Sequence, residues 1–317
     1  MKVVVCGLGV QGKKRVTFAG KDVVATVDPV APDATHRAIV DVPLASYDAV
    51  CVCTPDTAKR EVLTHLLAHG KHVMVEKPLH FAPPVLRELG ALARSSGALL
   101  YTAYNHRFEP HFVRVRDAIA AGRIGRPYVL KMSYGNGTAR DVRDSAWRDR
   151  GNGVLGDLGS HLLDSLRFFL GDRTPDAASF EPWSASRFEN KAFDHVVFAG
   201  KGERLTVVLE ATLLAWKNTF SLDVTGELGS LHVDCLCKWG PSTFTQRTRK
   251  LPSGKPVEER VVLEQPDPTW KLEYDHFARL VAGPDAARAA TEKNVENDAW
   301  IGAILSDLST QLGVTET

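Results

Sequence analysis

This sequence lacks both a long apolar run and an excess of charge of either sign. No stretch approaches the roughly 18 apolar residues that a membrane-spanning helix needs. The chain has 39 lysines and arginines and 38 aspartates and glutamates, so its positive and negative charges nearly cancel. A protein that binds nucleic acid or anionic membranes usually has an excess of positive charge, which this sequence lacks. A strand-like run begins at Lys2, which leaves no room for a signal peptide. We therefore expect a cytoplasmic protein whose partners include neither nucleic acid nor membrane.

Cysteine is also scarce. The five cysteines are an odd number, and in a cytoplasmic chain structural disulfides are not expected. Cys51 and Cys53, and likewise Cys235 and Cys237, stand two residues apart in strand-like runs, which would place each pair on one face of a strand. Four thiolates could in principle bind zinc, but zinc ligands usually have about two to four residues between paired cysteines. We predict buried cysteines and no metal site.

A glycine-rich turn follows the first apolar run, at residues 3–7, and precedes a stretch compatible with a helix. In a dinucleotide-binding turn the first glycine permits the tight bend, the second lets the backbone approach a pyrophosphate, and the third lets the helix pack on the strand. The phosphates then lie at the positive end of the helix. The residues predicted to contact the dinucleotide here are Gly7, Gly9, Val10, Gln11 and Gly12.

Asp28 ends the second strand-like run, 16 residues after Gly12. This offset is close to the roughly 20 residues expected for the acid that binds the ribose hydroxyls. A carboxylate there would repel a 2′-phosphate, which favours NAD over NADP as the cofactor. The alternative is a turn or cap aspartate before Pro29.

Strand-like and helix-like segments alternate over the first hundred residues. Apolar runs at 49–53 and 72–75 are each followed by a helix-like segment. This alternation, with short crossovers, predicts an α/β Rossmann domain with a doubly wound parallel sheet. Ligands of such sheets lie at the carboxyl ends of the strands. The residues at those ends, all predicted cofactor contacts, are Asp28, Thr54, Pro55, Glu76 and Lys77.

The segment between Asp28 and Ala49 departs from this pattern. It has only 20 residues, and Pro29, Pro32 and Pro43 interrupt it. Because proline breaks helices, a normal crossover helix does not fit there. The adenosine side of the cofactor site is therefore expected to be unusually open.

Several motifs in a fixed order carry a family resemblance. They are the glycine turn, Thr54-Pro55, GKHVMVEKP at 70–78 and GVLGDLGSH at 153–161. With these motifs the chain resembles the Gfo/Idh/MocA oxidoreductase family, named for glucose–fructose oxidoreductase and inositol dehydrogenase. One departure is Lys59, at a position where the family often carries histidine.

The resemblance implies two domains, a Rossmann domain at 1–104 and an α+β domain at 105–317 built on a large, mostly antiparallel sheet. It also implies a homo-oligomer, a dimer or tetramer that forms through this sheet, and a C-terminal helix at 292–312 that packs back on the Rossmann domain. The pattern after Gly125 agrees, since it turns to alternating apolar runs. These runs are at 127–135, 194–199, 204–213, 218–225 and 229–235, with helix-like segments at 270–282 and 292–312.

Asp157, His161 and Asp164 stand at helical spacing and form one polar stripe, opposite an apolar stripe of leucines and Phe169. Oxidation of an alcohol needs a base, and histidine exchanges protons near neutral pH. The alternative is a solvent-exposed polar face with Asp157 as a favourable charge at the start of the helix. Asp164 is expected to make a structural hydrogen bond.

The family's catalytic lysine, aspartate and histidine map to Lys77, Asp157 and His161. His161 is then the acid/base, Lys77 stabilises alkoxide charge, and Asp157 orients the substrate. This assignment requires the Lys77 ammonium and the His161 imidazole to meet at the reactive carbon of the nicotinamide. The full set of predicted substrate contacts is Lys77, Arg107, Tyr134, Trp147, Arg148, Asp157 and His161; of these, Arg107, Tyr134, Trp147 and Arg148 could equally be domain-interface residues.

The resemblance implies an NAD(P)-dependent oxidoreductase. It would transfer a hydride between nicotinamide and a secondary hydroxyl or ketone of a sugar, nucleotide sugar, aminosugar or cyclitol. One alternative is a redox-neutral enzyme with tightly bound NAD that cleaves or isomerises glycosides. Another is a nucleotide sensor without catalysis, although a sensor has no need for Lys77, Asp157 and His161 together.

Overall fold

The computed structural model describes residues 1–145 and 148–314. The chain divides into two compact units. The first unit comprises Met1–Asn105 with Pro268–Gly302, and the second comprises His106–Asp267 with the chain from Ala303 onward.

The strands, in chain order, are β1 Val3–Cys6, β2 Val23–Val27, β3 Ala49–Val52, β4 His72–Glu76, β5 Leu100–Ala103, β6 Pro127–Gly135, β7 Glu181–Ser186, β8 His195–Lys201, β9 Thr206–Thr212, β10 Thr219–Gly226, β11 Gly229–Asp234, β12 Ser242–Thr248 and β13 Val257–Leu263. The α-helices are α1 Val10–Ala19, α2 Asp56–Ala68, α3 Pro83–Ser96, α4 Pro110–Ala120, α5 Ala139–Arg143, α6 Ser160–Leu170, α7 Thr269–Val281 and α8 Pro284–Gln311. A π-helical turn at Leu155–Gly159 leads into α6.

The first unit contains a five-stranded sheet in the order β2-β1-β3-β4-β5, and every neighbouring pair is parallel. Successive residues of each strand point to opposite faces, so both faces need cover. Val4 and Val50 pack in one core with residues of α2 and α3. Val5 and Cys51 pack in a second core with residues of α1 and α7. The predicted doubly wound parallel sheet is confirmed, with helices on both faces.

The segment between β2 and β3 contains no α-helix, as its prolines predict. Two short 3-10 turns, Ile39–Asp41 and Leu44–Ser46, occupy it instead. Ile39, Val42 and Tyr47 are buried in the same core as α2 and α3. Three apolar side chains thus provide the cover that a crossover helix normally supplies.

The second unit contains an eight-stranded sheet in the order β13-β12-β11-β10-β6-β9-β8-β7. All neighbours are antiparallel except β6 and β9, so the predicted mostly antiparallel sheet is confirmed. Phe112 of α4 contacts Phe169 of α6 and Phe220 of β10, with ring centroids 5.1 Å and 4.9 Å apart. This aromatic contact packs the two helices on one face of the sheet.

The sequence analysis did not predict three of the strands, namely β7, β12 and β13. Their sequences are EPWSAS, STFTQRT and VEERVVL, in which polar residues interrupt the apolar alternation. Strands β13 and β7 are the two edge strands of the sheet, and β12 pairs with the edge strand β13. The prediction for the last helix was also wrong at its start, because α8 begins at Pro284 rather than at residue 292. Proline is well suited to the first helical turn, where its missing N–H is not needed.

Within the described residues, no helix is both long enough and apolar enough to cross a membrane.

The glycines of the turn after β1 separate into two crowded positions and one open position. Gly7 has a φ of +93°, which favours glycine. A side-chain carbon at Gly12 would lie 1.7 Å from the carbonyl oxygen of Gly7. At Gly9, by contrast, no described atom outside Gly9 and the two adjacent residues lies within 4 Å of such a carbon. Gly7 and Gly12 are therefore required by the backbone itself, and Gly9 is not.

We predict that Gly12→Ala lowers the free energy of unfolding by at least about 2 kcal/mol, because α1 must shift away from β1 to make room for the methyl group. Gly9→Ala is the matched control, and its free energy of unfolding should stay within about 1 kcal/mol of the parent value. Urea denaturation of both variants measures the difference. Equal stabilities for the two variants would contradict the packing described here.

Candidate active site

The turn at residues 7–12 leads into α1, whose first turn has no side-chain cap and no acidic residue. Val10, the first residue of the helix, is 74% exposed, and Gln11 is exposed as well. The uncapped N–H groups of this turn, the positive end of the helix and the space beside Gly9 form the arrangement that holds a pyrophosphate. The residues present therefore fit a dinucleotide.

Asp28 lies directly after β2 and is 9% exposed. Its Oδ2 accepts a hydrogen bond from the Leu8 N–H at 2.7 Å, and its Oδ1 accepts hydrogen bonds from Val30 and Ala31 at 2.9 Å. Burial alone would raise the pKa of this carboxyl, but these three N–H groups and the charge of Arg37 together lower it. Asp28 therefore connects the glycine turn with the turn that follows β2.

These contacts agree with the alternative interpretation of Asp28 as an aspartate that stabilises the turn before Pro29. They use three of the roughly four positions at which a carboxylate can accept a hydrogen bond, so Asp28 can still accept another. Ribose binding by Asp28 stays a prediction.

Thr54 and Pro55 connect β3 to α2. Pro55 is the residue before the first turn of α2. The hydroxyl oxygen of Thr54 is buried, and no other described residue makes a hydrogen bond to it. A buried hydroxyl without a partner is unfavourable, so this oxygen is suited to a ligand.

The end of β4 is held by buried charges. The Arg15 guanidinium, 1% exposed, pairs with Glu76 Oε1 and with Glu273 Oε2, each at 2.7 Å. Burial alone would lower the pKa of Arg15, but Glu273 and Glu76 hold it well above the ordinary arginine value. The Lys59 ammonium donates to the backbone carbonyls of Glu76 and Pro78, at 2.8 Å and 3.2 Å. Lys77 stands between these two fixed neighbours.

Two of the three residues in the polar stripe of the second unit are buried. His161 is 8% exposed and Asp164 is 1% exposed, so for these two the interpretation as a solvent-exposed polar face was wrong, whereas the Asp157 side chain is 42% exposed. Asp164 accepts hydrogen bonds from Nε and Nη2 of Arg107 at 2.5–3.2 Å, which is the structural role expected of it. Arg107 is thereby engaged by a buried carboxylate, and its contact with substrate stays a prediction.

Aromatic rings surround His161. The His106 imidazole stacks on it with ring centroids 4.1 Å apart and an interplanar angle of 23°. The Tyr134 ring lies 6.0 Å from His161 and 5.4 Å from His106. Burial, together with the charge of Asp157, raises the pKa of Tyr134, so its hydroxyl stays protonated. Of the predicted substrate residues, Tyr134 and His161 are thus neighbours.

Asp157 lies in the π-helical turn, and its carboxylate is 3.6 Å from the Arg148 guanidinium. The Asp157 side chain is 42% exposed and that of Arg148 is 33% exposed, so both are accessible to a ligand. Trp147 lies outside the described residues.

Sequence reasoning missed four residues of these sites: Arg15, Lys59, His106 and Lys238. The Lys238 ammonium is 3.4 Å from Nε2 of His106 and 4.6 Å from the centre of the Trp239 ring. A signal existed for the first two. Arg15 and Lys59 are charged residues at helix positions whose spacing matches the buried residues of α1 and α2.

The cysteine predictions need two corrections. Cys6, Cys51 and Cys237 are buried as predicted, but Cys53 and Cys235 are only partly buried. Cys235 and Cys237 do not share a strand face, because β11 ends at Asp234 and Cys235 has a φ of 65°. Burial raises the pKa of Cys51 to about 12, and the charge of Arg15 only partly offsets this. Among the described residues, no group of three side chains is arranged to hold a metal ion.

Comparison with protein families matches two adjoining regions of the chain. Residues 1–104 match the family described as "Oxidoreductase family, NAD-binding Rossmann fold". Residues 112–232 match the family described as "GFO/IDH/MocA C-terminal domain". The two regions include the glycine turn, the end of β4 and the polar stripe of Asp157, His161 and Asp164.

Individual proteins agree with this result. The chain is 29% identical over 167 residues to inositol 2-dehydrogenase from Rhizobium meliloti (strain 1021), which covers 52% of this chain and 47% of that protein. It is 35% identical over 136 residues to 1,5-anhydro-D-fructose reductase from Ensifer adhaerens, which covers 42% of this chain and 40% of that protein. The matched regions thus span less than half the length of these curated relatives.

Solved structures show the same fold. Levoglucosan dehydrogenase in complex with NADH has a TM-score of 0.77 at 17% identity, with 97% of each chain covered. An oxidoreductase from Agrobacterium radiobacter in complex with NAD+, L-tartaric acid and magnesium has a TM-score of 0.76 at 15% identity, with 99% of this chain and 96% of that chain covered. The motifs, both sheets and both family matches lead to one conclusion: this chain belongs to the Gfo/Idh/MocA family of NAD-binding oxidoreductases.

Proposed function

We propose that this oxidoreductase is an NAD-dependent dehydrogenase or reductase of a secondary hydroxyl or ketone in a sugar, nucleotide sugar, aminosugar or cyclitol. The observation that carries the proposal is the burial of the His161 imidazole against Tyr134 and a second imidazole, His106. A histidine kept only for solubility would face solvent. A buried imidazole packed against a tyrosine ring and a second imidazole suits proton exchange with a polyhydroxylated ligand.

The relatives support this substrate class. One is named inositol 2-dehydrogenase and another 1,5-anhydro-D-fructose reductase, so a cyclitol and a sugar derivative appear in their names. Because the matched regions span less than half of these proteins, the substrate of this chain is a matter for experiment. A panel of sugars, aminosugars and cyclitols with NAD and NADP is the first step.

The residues of the first unit would hold the cofactor. The uncapped start of α1 would bind the pyrophosphate beside Gly9, Asp28 would accept from the ribose, and Thr54 would donate its hydroxyl proton. When bound, NAD supplies the site that accepts or returns the two electrons and the hydrogen of the reacting carbon.

Side chains of the protein would then transfer the proton of the substrate hydroxyl. His161 would take the proton from the substrate hydroxyl during oxidation and return it during reduction. The Lys77 ammonium would donate to the same oxygen and stabilise the negative charge that develops there. Asp157, which is partly exposed, would accept a hydrogen bond from a neighbouring hydroxyl and so fix the orientation of the ring.

We predict that Lys77→Ala and His161→Ala each lower kcat by about 10²-fold or more, because each removes a group that acts on the reacting oxygen. The Kd for NAD, measured by fluorescence titration, should change little in both variants. Lys201→Ala and His69→Ala are the controls, since both side chains lie on the surface. Wild-type turnover in Lys77→Ala or His161→Ala would refute these roles.

Absorbance at 340 nm separates this proposal from the redox-neutral alternative. A dehydrogenase releases NADH in proportion to the substrate consumed, whereas an enzyme that uses bound NAD transiently consumes substrate without net NADH. Substrate loss without a change at 340 nm would therefore overturn the dehydrogenase assignment while leaving the roles of His161 and Lys77 open to the alternative reaction.

We predict that Gly9→Ala weakens NAD binding by at least about tenfold, equal to about 1.4 kcal/mol. The added methyl group would occupy the space beside the glycine turn while leaving the fold intact. Isothermal titration with NAD measures the effect, and urea denaturation confirms that the variant is folded. An unchanged Kd would exclude this turn as the pyrophosphate site.

We predict that the protein prefers NAD and that Asp28→Asn raises the ratio of kcat/KM for NADP to that for NAD by about tenfold. The substitution keeps one oxygen, which can still accept from Val30 and Ala31, replaces the oxygen that accepts from Leu8 by an NH2 group, and removes the charge that repels a 2′-phosphate. Urea denaturation checks that the variant is folded. Asp33→Asn, at an exposed position of the same loop, is the control. A ratio that does not change in Asp28→Asn would exclude Asp28 from cofactor discrimination.

Self-association through the eight-stranded sheet and a cytoplasmic location both stay predictions. Sedimentation equilibrium of the purified chain tests the first, and cell fractionation tests the second.

A further inference from the structure

Lys59 is a buried lysine whose ammonium has a complete set of partners. The residue is 3% exposed. Its Nζ donates to the carbonyl oxygen of Glu76 at 2.8 Å, to the carbonyl oxygen of Pro78 at 3.2 Å and to Asp56 Oδ1 at 2.7 Å. An ammonium has three N–H groups, so every donor of Lys59 is used.

The two carbonyls that Lys59 binds belong to the residues immediately before and after Lys77. The same strand end is held a second time, because the Glu76 side chain pairs with buried Arg15 at 2.7 Å. Backbone and side chain next to Lys77 are therefore fixed by two separate cations. A side chain that must act at one atom of a substrate benefits from such support, since a displacement of about 1 Å can cost 10²-fold in rate.

Stability alone does not explain a lysine at this position. On α2, Lys59 lies on the same buried face as Leu63, Leu66 and Leu67. Taking an ammonium out of water is costly. The Asp56 carboxylate that pairs with Lys59 is 56% exposed, so this ion pair contributes little net stability in return. A leucine or methionine would fill the same space without the cost of removing a charge from water. What an apolar residue cannot do is bind the carbonyls of Glu76 and Pro78.

We propose that Lys59 is a positioning residue for Lys77: it holds the backbone on both sides of Lys77 so that the Lys77 ammonium stays in the geometry needed for turnover. This proposal rests on the role of Lys77 given under the proposed function. Lys59 acts only through the backbone of residues 76–78 and does not touch the substrate.

The number of N–H groups explains why a lysine is needed here. A charged imidazole has two N–H groups against the three of an ammonium. A histidine could therefore bind at most two of the three acceptors that Lys59 binds. Only a lysine can donate to Asp56 and to both carbonyls at the same time.

The test compares Lys59→Met and Lys59→His with Arg60→Met in the full-length protein. Methionine has a similar length without N–H donors, and histidine keeps part of the donor set. Arg60 is the matched control, since it neighbours Lys59 on α2 and makes an exposed pair with Glu88. The measurements are kcat and KM for the substrate found in the panel, the Kd for NAD, the melting temperature, and hydrogen exchange of the peptide that covers residues 72–80.

For Lys59→Met we expect kcat to fall by at least about tenfold at a temperature where the variant is fully folded, with the Kd for NAD close to the wild-type value. The melting temperature should fall by a few degrees, because the carbonyls of Glu76 and Pro78 lose a donor. Hydrogen exchange should accelerate in the peptide at 72–80, because its carbonyl anchors are lost. Lys59→His should give a kcat between those of Lys59→Met and the wild type. Arg60→Met should match the wild type in every measurement.

A wild-type kcat in folded Lys59→Met overturns the proposal. So does a lower activity that is fully explained by a smaller folded fraction. If Lys59→Met does not fold, Lys59→His decides: a kcat several-fold below the wild type supports the proposal, and an unchanged kcat overturns it. Failure of the proposed function looks different, because Lys77→Ala would then keep its turnover while hydrogen exchange still reports whether Lys59 fixes residues 76–78.

Discussion

The buried guanidinium of Arg15 connects three elements of the first unit. Arg15 lies on α1, Glu76 ends β4, and Glu273 lies on α7 near the end of the chain. Neither Arg15 nor Glu273 is exposed beyond 1%, so each charge depends on the others for compensation. Loss of one partner would leave a charge buried without its counter-ion, which typically costs 3–5 kcal/mol. The glycine turn at the start of α1 and the Glu76-Lys77 strand end are thus held by the same interaction.

The second unit uses a similar arrangement beside its own candidate catalytic residue. Asp164, 1% exposed, pairs with Arg107, and these two residues neighbour the stacked pair His161 and His106 along the chain. The ion pair holds the Asn105–Phe108 turn against α6. An arginine–carboxylate pair therefore lies next to the candidate catalytic side chain in each unit, buried at Arg15 and partly buried at Arg107, which is 21% exposed. Both pairs fix the positions of their neighbours more than they add net stability, since ion pairs removed from water contribute little net stability.

Local patterns in the sequence were enough to predict the parallel sheet, the glycine turn and the absence of a helix between β2 and β3. Each depends on a few neighbouring residues: apolar runs, Gly7 and Gly12, and the prolines of the short segment. The same patterns failed where strands are polar, as in β12 and β13, and where a strand ended earlier than its composition suggested, at Cys235 and Cys237. They also left open whether Asp157, His161 and Asp164 formed an exposed or a buried stripe. Helical spacing identifies a face but not what covers it.

By itself the sequence determined the motifs of the family and, within them, the candidate catalytic residues Lys77 after an apolar strand and His161 at the start of a helix, because motif and spacing are local properties; the roles of both residues stay predictions. Only the tertiary structure decided their supports. Lys59 is 17 residues from Glu76, Arg107 is 57 from Asp164 and Arg15 is 258 from Glu273. Whether a charged side chain is solvated or buried with a partner depends on packing between distant segments, and no local pattern contains that information.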